Sequence, residues 1–414
     1  MKKSKIINDP VYGFITFPSE LVFKIIDHPY YQRLRRIKQL GLTDLVYPGA
    51  NHTRFHHAIG ATHLMSIALN TLREKGHPIT DEEYEASLAA ILLHDIGHGP
   101  FSHALEFGLL TNVTHEDISL IIMNRLNEEF DGALDLTIKI FSDTYERKFF
   151  HQLVSGQLDV DRLDYLNRDS YFTGVTEGQV SFDRILKMLT LVDDELVVEE
   201  KGVYSIENFL NARRLMYWQV YLHKTVISAE FMLLRCIQRM KELYQTGYEI
   251  YVPEFLEIFL KQDINKHRFE NEPELLDSFI KLDDNDIWSA MKTWKHSSDT
   301  ALATLSEGIM DRKLFKIEVT NSQLSKSRLK EIRSQVTEEF GADQNELDYL
   351  VIKSSLSNNA YLPKEKNINI LKKNGKVVDV ATATDLPNIT AMTKTVTKSF
   401  VCYPRKGQFI IKNN

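Results

Sequence analysis

The sequence predicts a mainly α-helical fold with a small α+β unit at its C-terminal end. Three observations predict it. Residues 83–94, 159–170 and 206–245 are stretches without internal glycine or proline, rich in helix formers or with apolar residues at helical spacing. The pattern changes near residue 313, where short alternating segments and an Asn374-Gly375 dipeptide signal strands and a hairpin. Nine of the fourteen histidines crowd between His52 and His115, a density that suits neither a solvated surface nor a dry core.

The elements follow in order. Thr80 and Glu83 have the spacing of a capping box and open the helix over 83–94. Gly97 and Gly99 stop it, and Pro100 opens the next helix, because proline's missing N–H costs nothing there. A strand signal appears at 192–204, where Leu196-Val-Val198 and Gly202-Val-Tyr204 flank a charged turn. The polar stretch 294–308 reads as a linker. Beyond it, 313–320 reads as a strand, 327–340 as a helix and 349–354 as a second strand. Residues 368–381 form a hairpin, and 398–403 and 408–412 add strands. No internal repeat stands out.

The 414 residues are 43% hydrophobic and 26% charged, with a net charge of −7. That is ordinary for a soluble globular chain and argues against general coating of nucleic acid; nothing supports single-strand binding. Arg33, Arg35, Arg36, Lys38 and Arg54 make the early part basic, which suits a small polyanion such as a nucleotide or simply a solvated helix face. Two cysteines, Cys236 and Cys402, allow no disulfide framework and fit a reducing compartment. No apolar run approaches the ~18 residues needed to cross a bilayer, and no signal peptide opens the chain. A cytoplasmic location without membrane contact is expected.

Four residues stand out as metal ligands: His57, His94, Asp95 and Asp161. Mixed imidazole and carboxylate donors suit one divalent ion, Mn, Fe, Co, Ni or Zn, with Mg less favoured. In a helix over 159–170, Asp161, Tyr165 and Asp169 share a face at i, i+4 and i+8. The same residues would also make an acidic solvated helix.

Arg54-Phe-His-His-Ala-Ile-Gly60, His94-Asp-Ile-Gly-His-Gly-Pro-Phe-Ser-His103, Thr114-His115-Glu116 and Asp159-Val-Asp-Arg-Leu-Asp-Tyr165 resemble the HD-domain phosphohydrolases. They resemble more closely the deoxynucleoside triphosphate triphosphohydrolases among them. The similarity runs from Lys5 through Gln32–Leu40 and Tyr47–Ala50 to about residue 240. The pattern along the chain predicts a helical core over 1–295 and a C-terminal α+β appendage over 309–414, and the resemblance implies that the core is an HD-domain catalytic core. It places the ligands on His57, His94, Asp95 and Asp161, and it alone selects His57 over His56.

The implied reaction is attack by water on the α-phosphorus of a dNTP, giving a deoxynucleoside and inorganic triphosphate. The leaving 5′-oxygen needs a proton, and His103 and His115 are the candidate donors, with Glu106 to orient an imidazole. His98 is expected on the α-phosphate. The resemblance puts phosphate contacts on Arg54, Arg162 and Arg213. It puts sugar and base contacts on Gln39, Leu40, Asp169 and Tyr221, with Tyr165 reaching along the cleft. Arg213, Tyr217 and Tyr221 fall at i, i+4 and i+8, so they share a helix face. The chain departs from the animal enzymes at Tyr217, Leu222 and Arg162, which bears on base preference and not on metal chemistry.

Lys5, Asp27, Gln32 and Arg35 match family residues that bind a guanine nucleotide activator at a subunit interface. Asn8, Val46, Tyr47, His223 and Lys224 match a second activator pocket. The implied assembly is a homotetramer responsive to GTP or a dNTP, although Asp27 and Arg35 would equally form an ordinary helix pair. Two other readings stay open at this point. One is a different HD phosphohydrolase, a nucleotidase or cyclic-nucleotide phosphodiesterase. The other is a catalytically silent nucleotide sensor.

Overall fold

The computed structural model describes residues 6–17, 19–101, 106, 108–322, 324–358, 367–385 and 395–409. A short hairpin, β1 (Ile6–Asp9) and β2 (Gly13–Thr16), precedes α1 (Glu20–Asp27). The centre is a stack of three helices: α2 (Arg54–Glu74), α3 (Asp81–Leu93) and α5 (Val160–Thr173), with α4 (His115–Glu129) between the last two in sequence. Helix α2 packs on both α3 and α5. Leu64, Met65, Leu69 and Leu72 of α2 are fully buried against Leu88, Ile91 and Leu92 of α3 and Leu163 and Leu166 of α5, among others. Each such side chain contributes roughly 1.5–3 kcal/mol of burial free energy.

Local chemistry fixes the helix ends that matter. The Thr80–Glu83 box forms as expected: Glu83 N donates to Thr80 Oγ1 at 3.1 Å and Thr80 N to Glu83 Oε2 at 2.8 Å. Asp159 caps α5 by accepting from Arg162 N at 2.7 Å. Gly174, at φ 76°, ends α5 in the left-handed region that favours glycine. Helix α3 stops at Leu93, so His94 and Asp95 start the loop that follows. The helix expected after Pro100 falls largely outside the described residues.

The stretch 206–245 is not one helix. Helix α6 (Val203–Met216) passes into a π-helical turn at Tyr217–Tyr221, and α7 (Lys224–Gln245) begins afresh. His223 is extended and its ring caps α7, accepting from Thr225 N at 3.2 Å. A histidine cap, invisible to a search for glycine or proline, makes the break. The strands expected over 192–204 lie earlier, as β3 (Leu189–Val192) and β4 (Glu195–Glu199). Their turn is Asp193-Asp194, both at positive φ, while Val203 and Tyr204 belong to α6.

The stretch 294–308 is not a linker. Trp294 ends α8 (Asp284–Trp294), fully buried. Asp299 then caps α9 (Thr300–Met310), which presents Ala301, Leu302, Leu305 and Ile309 to the core and packs on α7. Short polar residues at the cap hid an amphipathic helix. Beyond it come β5 (Lys316–Thr320), α10 (Lys326–Phe340), α11 (Gln344–Leu350) and β6 (Ile352–Asn358). Tyr349 and Leu350 are helical, not strand, because Asp343 and Glu346 form a capping box. Asn374-Gly375 turns β7 (Asn369–Leu371) into β8 (Val377–Asp379), with Gly375 at φ 80°. Strand β9 (Val396–Tyr403) lies between β5 and β6. Gln408 and Phe409 are not strand; 410–412 lie outside the described residues.

These C-terminal strands divide between two sheets. Strands β5, β9 and β6 make one antiparallel sheet. Strands β8 and β7 instead extend the β3–β4 hairpin, with β7 parallel to β4 in the register Val197↔Asn369. No helix among the described residues is long and apolar enough to cross a membrane.

Candidate metal centre and substrate cleft

His57, His94, Asp95 and Asp161 arrive at one point from α2, the end of α3 and the first turn of α5. His57 Nε2 stands 3.4 Å from His94 Nε2 and 3.1 Å from Asp161 Oδ1. His94 Nε2 is 3.5 Å from Asp161 Oδ1 and 3.3 Å from Asp95 Oδ1, and Asp95 Oδ2 is 3.9 Å from His57 Nε2. His56, by contrast, turns back to its own helix start, where Nδ1 accepts from Thr53 N at 3.2 Å.

The outer ring nitrogens are committed. His57 Nδ1 donates to Asp164 Oδ2 at 2.8 Å, and His94 Nδ1 to the Ile91 carbonyl at 2.6 Å. A carboxylate and a carbonyl only accept here, so each ring turns Nε2 into the cluster. Burial pulls the His57 pKa down, but hydrogen bonds with Asp161 and Asp164 outweigh it and hold it at about 10. Burial opposes the charge on Asp161 too, yet His57 and His94 hold that carboxyl well below its ordinary range. His57, His94 and Asp161 form one donor group within reach of a single ion, with Asp95, His98 and His115 a second group beside it, and mixed imidazole and carboxylate donors fit a divalent metal.

Beside this cluster, the His98 and His115 rings stack 3.9 Å apart at 14°. His98 Nε2 is 3.3 Å from Asp95 Oδ1. Its burial, then the neighbouring Arg54, push its pKa well below the ordinary value, so His98 is neutral. His115 Nδ1 faces Glu106 Oε1 at 3.4 Å. His103 lies outside the described residues.

The residues expected to meet substrate lie along α5 and the π-helical turn. Tyr217 and Tyr221 pack edge to face with centroids 5.2 Å apart, and the Arg213 guanidinium lies 5.9 Å from the Tyr217 ring. The three share a surface although a π turn, not an α-helix, carries two of them; such turns recur at functional sites. Tyr165 packs against Tyr221 at 6.1 Å. Asp169 Oδ2 accepts from the Tyr221 hydroxyl at 2.7 Å. Gln39 is held by its backbone to His52 O at 3.0 Å, and its side-chain oxygen is buried without a hydrogen-bond partner. Leu40 is half-buried next to it. Arg54 bonds Asp95, Arg162 bonds Asp159, and Arg213 reaches Gln157 at 3.3 Å.

The early basic run is not a polyanion site as a whole. Buried Arg33 donates twice to the His98 carbonyl at 2.9 Å, Arg36 pairs with Asp283, and Lys38 with Asp44 at 2.7 Å. Of these cations, Arg33 holds the loop that carries His98. Arg35 lies 3.6 Å over the Phe55 ring and bonds Gln32 at 2.8 Å. Asp27 is exposed at the end of α1, and Asn8 pairs with Phe14 across the first hairpin. Lys5 lies outside the described residues. Val46 is half-buried; Tyr47 donates to Gln219 O at 2.6 Å and sits 6.0 Å from the His223 ring. Lys224 borders a cavity of about 450 Å³ together with Arg312, Lys316 and Arg405.

Sequence reasoning missed His52, Asp164, Arg168 and Asp9. His52 is buried and stacks on Phe172 at 4.6 Å. The i, i+4 spacing of Asp164 and Arg168 was readable as an ion pair; its target, His57, was not.

Residues 54–169 match the HD domain, and residues 180–251 the HD associated region. The uncharacterized protein YwfO of Bacillus subtilis is 33% identical over 395 residues, 92% of this chain and 88% of that protein. A deoxynucleoside triphosphate triphosphohydrolase SAMHD1 homolog of Dictyostelium discoideum is 33% identical over 298 residues, 66% of this chain but 57% of its own length. The crystal structure of a phosphohydrolase from Bacteroides thetaiotaomicron superposes with a TM-score of 0.94 at 52% identity, covering 97% of this chain and all of that one. With the His-Asp cluster in place and relatives that match it nearly end to end, the chain belongs to the HD-domain phosphohydrolase family.

Proposed function

We propose that the chain hydrolyses deoxynucleoside triphosphates to deoxynucleoside and inorganic triphosphate. The observation that carries this reading is the convergence of His57, His94, Asp95 and Asp161 beside the stacked His98–His115 pair. Those four residues would hold one divalent ion, with Mn, Fe, Co, Ni or Zn fitting the nitrogen donors better than Mg. When bound, the ion supplies activation of water and neutralisation of charge on a phosphate oxygen.

The chain's own residues do the rest. Neutral His98 donates a hydrogen bond to an α-phosphate oxygen. His115, with Nδ1 against Glu106, would deliver a proton to the 5′-oxygen through Nε2. His103 is the alternative donor. Arg54, Arg162 and Arg213 face the triphosphate; two of the three are tethered to carboxylates, which fixes their direction before substrate arrives. Asp169 and Gln39 meet the 3′-hydroxyl, Tyr165 and Tyr221 flank the sugar, Tyr217 lines the phosphate side and Leu40 packs on the base.

Regulation by GTP or a dNTP in a homotetramer belongs to the same reading. Its support is the resemblance around Lys5, Asp27, Gln32 and Arg35, and the basic cavity at Lys224. The test is chromatography of products from a dNTP panel with Mn²⁺, with and without GTP, beside His94→Ala. Triphosphate release by the wild type alone is expected. Orthophosphate as the first product would replace this reading with that of a nucleotidase, and turnover equal in both proteins would remove it.

A further inference from the structure

A buried chain of charge runs from the metal cluster to the first hairpin. His57 Nδ1 donates to Asp164 Oδ2 at 2.8 Å. Arg168 grips the same carboxylate with two bonds, Nε to Oδ2 at 2.9 Å and Nη2 to Oδ1 at 3.0 Å. Its remaining nitrogen, Nη1, donates to Asp9 Oδ2 at 2.8 Å. Asp9 Oδ1 in turn accepts from Val11 N at 2.9 Å and Tyr12 N at 3.0 Å, closing the turn between β1 and β2. The Tyr12 ring lies 5.5 Å from the guanidinium. Asp9, His57, Asp164 and Arg168 are at most 3% exposed, so these bonds are shielded from bulk solvent.

The backbone makes room for this chain. A Cβ on Gly60 would stand 2.1 Å from Arg168 Nη2 and 2.1 Å from Asp164 Oδ1. Helix α2 therefore carries glycine one turn after His57 because the ion pair lies against its backbone. The arrangement is more specific than charge pairing for stability. Asp164 Oδ2 serves both His57 and Arg168, so the position of the guanidinium sets the direction in which the carboxylate meets the imidazole. Partners behind a ligand histidine fix its tautomer and ring orientation and shift metal affinity 10–100-fold when lost.

We propose that Asp9 and Arg168 are positioning residues for His57, so that the seating of the N-terminal hairpin sets how tightly the centre holds its cation. The inference rests on the metal-centre reading and concerns residues two and three steps behind the ligand. It gives the hairpin, which also carries Asn8, a direct physical route to the site. That route is rigid, because a buried guanidinium that loses one carboxylate has no solvent to replace it.

The test is Mn²⁺ binding to the full chain, stripped of metal and without nucleotide, by isothermal titration calorimetry. Asp9→Asn keeps the side-chain oxygen that closes the turn and removes the charge. It is expected to weaken Mn²⁺ binding 10–100-fold. Arg168→Lys keeps the charge without the fork and is expected to do the same, with the double variant no worse than the weaker single. Gly60→Ala is expected to match them. Ligand-field bands of the Co²⁺ form should shift in each, which a loss of general stability would not produce. Asp9→Asn that binds Mn²⁺ like the wild type, with unshifted Co²⁺ bands, overturns the inference and leaves the metal centre standing. A wild type that binds no divalent ion overturns both. Should a variant melt too early to titrate, the Mn²⁺-induced rise in its melting temperature decides: a rise equal to the wild type's overturns the inference, a smaller one supports it.

Discussion

His52 and Asp169 meet inside the protein, Nε2 to Oδ1 at 2.7 Å, both essentially unexposed. The other Asp169 oxygen takes the Tyr221 hydroxyl at 2.7 Å, so the carboxylate is held from two sides. Phe172, stacked on the His52 ring, fixes the clamp in place. A carboxylate so held can meet a sugar hydroxyl without reorganising.

The first prediction follows from that clamp. His52→Ala should raise KM for the preferred dNTP about tenfold, ~1.4 kcal/mol, and leave kcat within about threefold. Bound metal should not change, since His52 does not touch the cluster. Steady-state kinetics with metal analysis checks it, and an unaltered KM would remove Asp169 from the sugar site.

Metal removal gives the second. Stripping the protein with EDTA should abolish triphosphate release, and added Mn²⁺ should restore it. His94→Ala should lose at least about 100-fold in activity and fail to recover with Mn²⁺, because one of the four proposed ligands is gone. Recovery of the variant at ordinary Mn²⁺ concentrations would place the chemistry elsewhere.

Gly97 gives the third. A Cβ there would lie 2.1 Å from the His115 carbonyl and 2.4 Å from Ser119 N, both backbone atoms that cannot swing aside. Gly97 N also donates to Ser119 Oγ at 2.9 Å, which locks the His98 loop to the start of α4. Gly97→Ala should cost about 1–3 kcal/mol and separate the stacked imidazoles. Thermal unfolding measures the first effect, and a fall in kcat larger than any rise in KM measures the second.

The fourth concerns pH. Burial raises the Glu83 pKa, but bonds from Thr80 N, Arg147 and Tyr145 outweigh it, so the folded-state value lies below the ordinary one. A depressed carboxylate stabilises the fold above its unfolded pKa and loses that contribution as pH falls through the folded value. Glu83→Gln should therefore cost about 1–2 kcal/mol at pH 7, and the difference should shrink below about pH 4. Urea unfolding at several pH values checks it; a difference constant from pH 7 to pH 3 would contradict the assignment.

The candidate ligands were only partly legible in the residues: His94 and Asp95 stand out as an adjacent pair and Asp161 opens a helix that Asp159 caps, but the choice of His57 over His56 came from the family resemblance alone. The Thr80 cap and the Asn374-Gly375 turn were legible, since a local hydrogen bond or a positive φ leaves a local signature. What was not legible is tertiary. Nothing near Asp9 says that it faces Arg168, 159 residues away. The break at His223 has no glycine or proline, and Asp299 looked like loop because its helix is identified by what Leu302 and Leu305 bury against. Arg33 and Arg36 suited a small polyanion or a solvated helix face equally well; their acceptors, the His98 carbonyl and Asp283, are supplied by other parts of the chain.

The parallel pairing of β7 with β4 joins segments more than 170 positions apart in the chain. During synthesis, Glu195–Glu199 must wait with one open edge until Asn369–Leu371 leaves the ribosome, at roughly 5–20 residues per second. For that interval of some ten to thirty seconds the hairpin offers its amides to any extended neighbour. A fragment cut short before residue 369 would keep that sticky border permanently and is expected to precipitate where the whole chain does not.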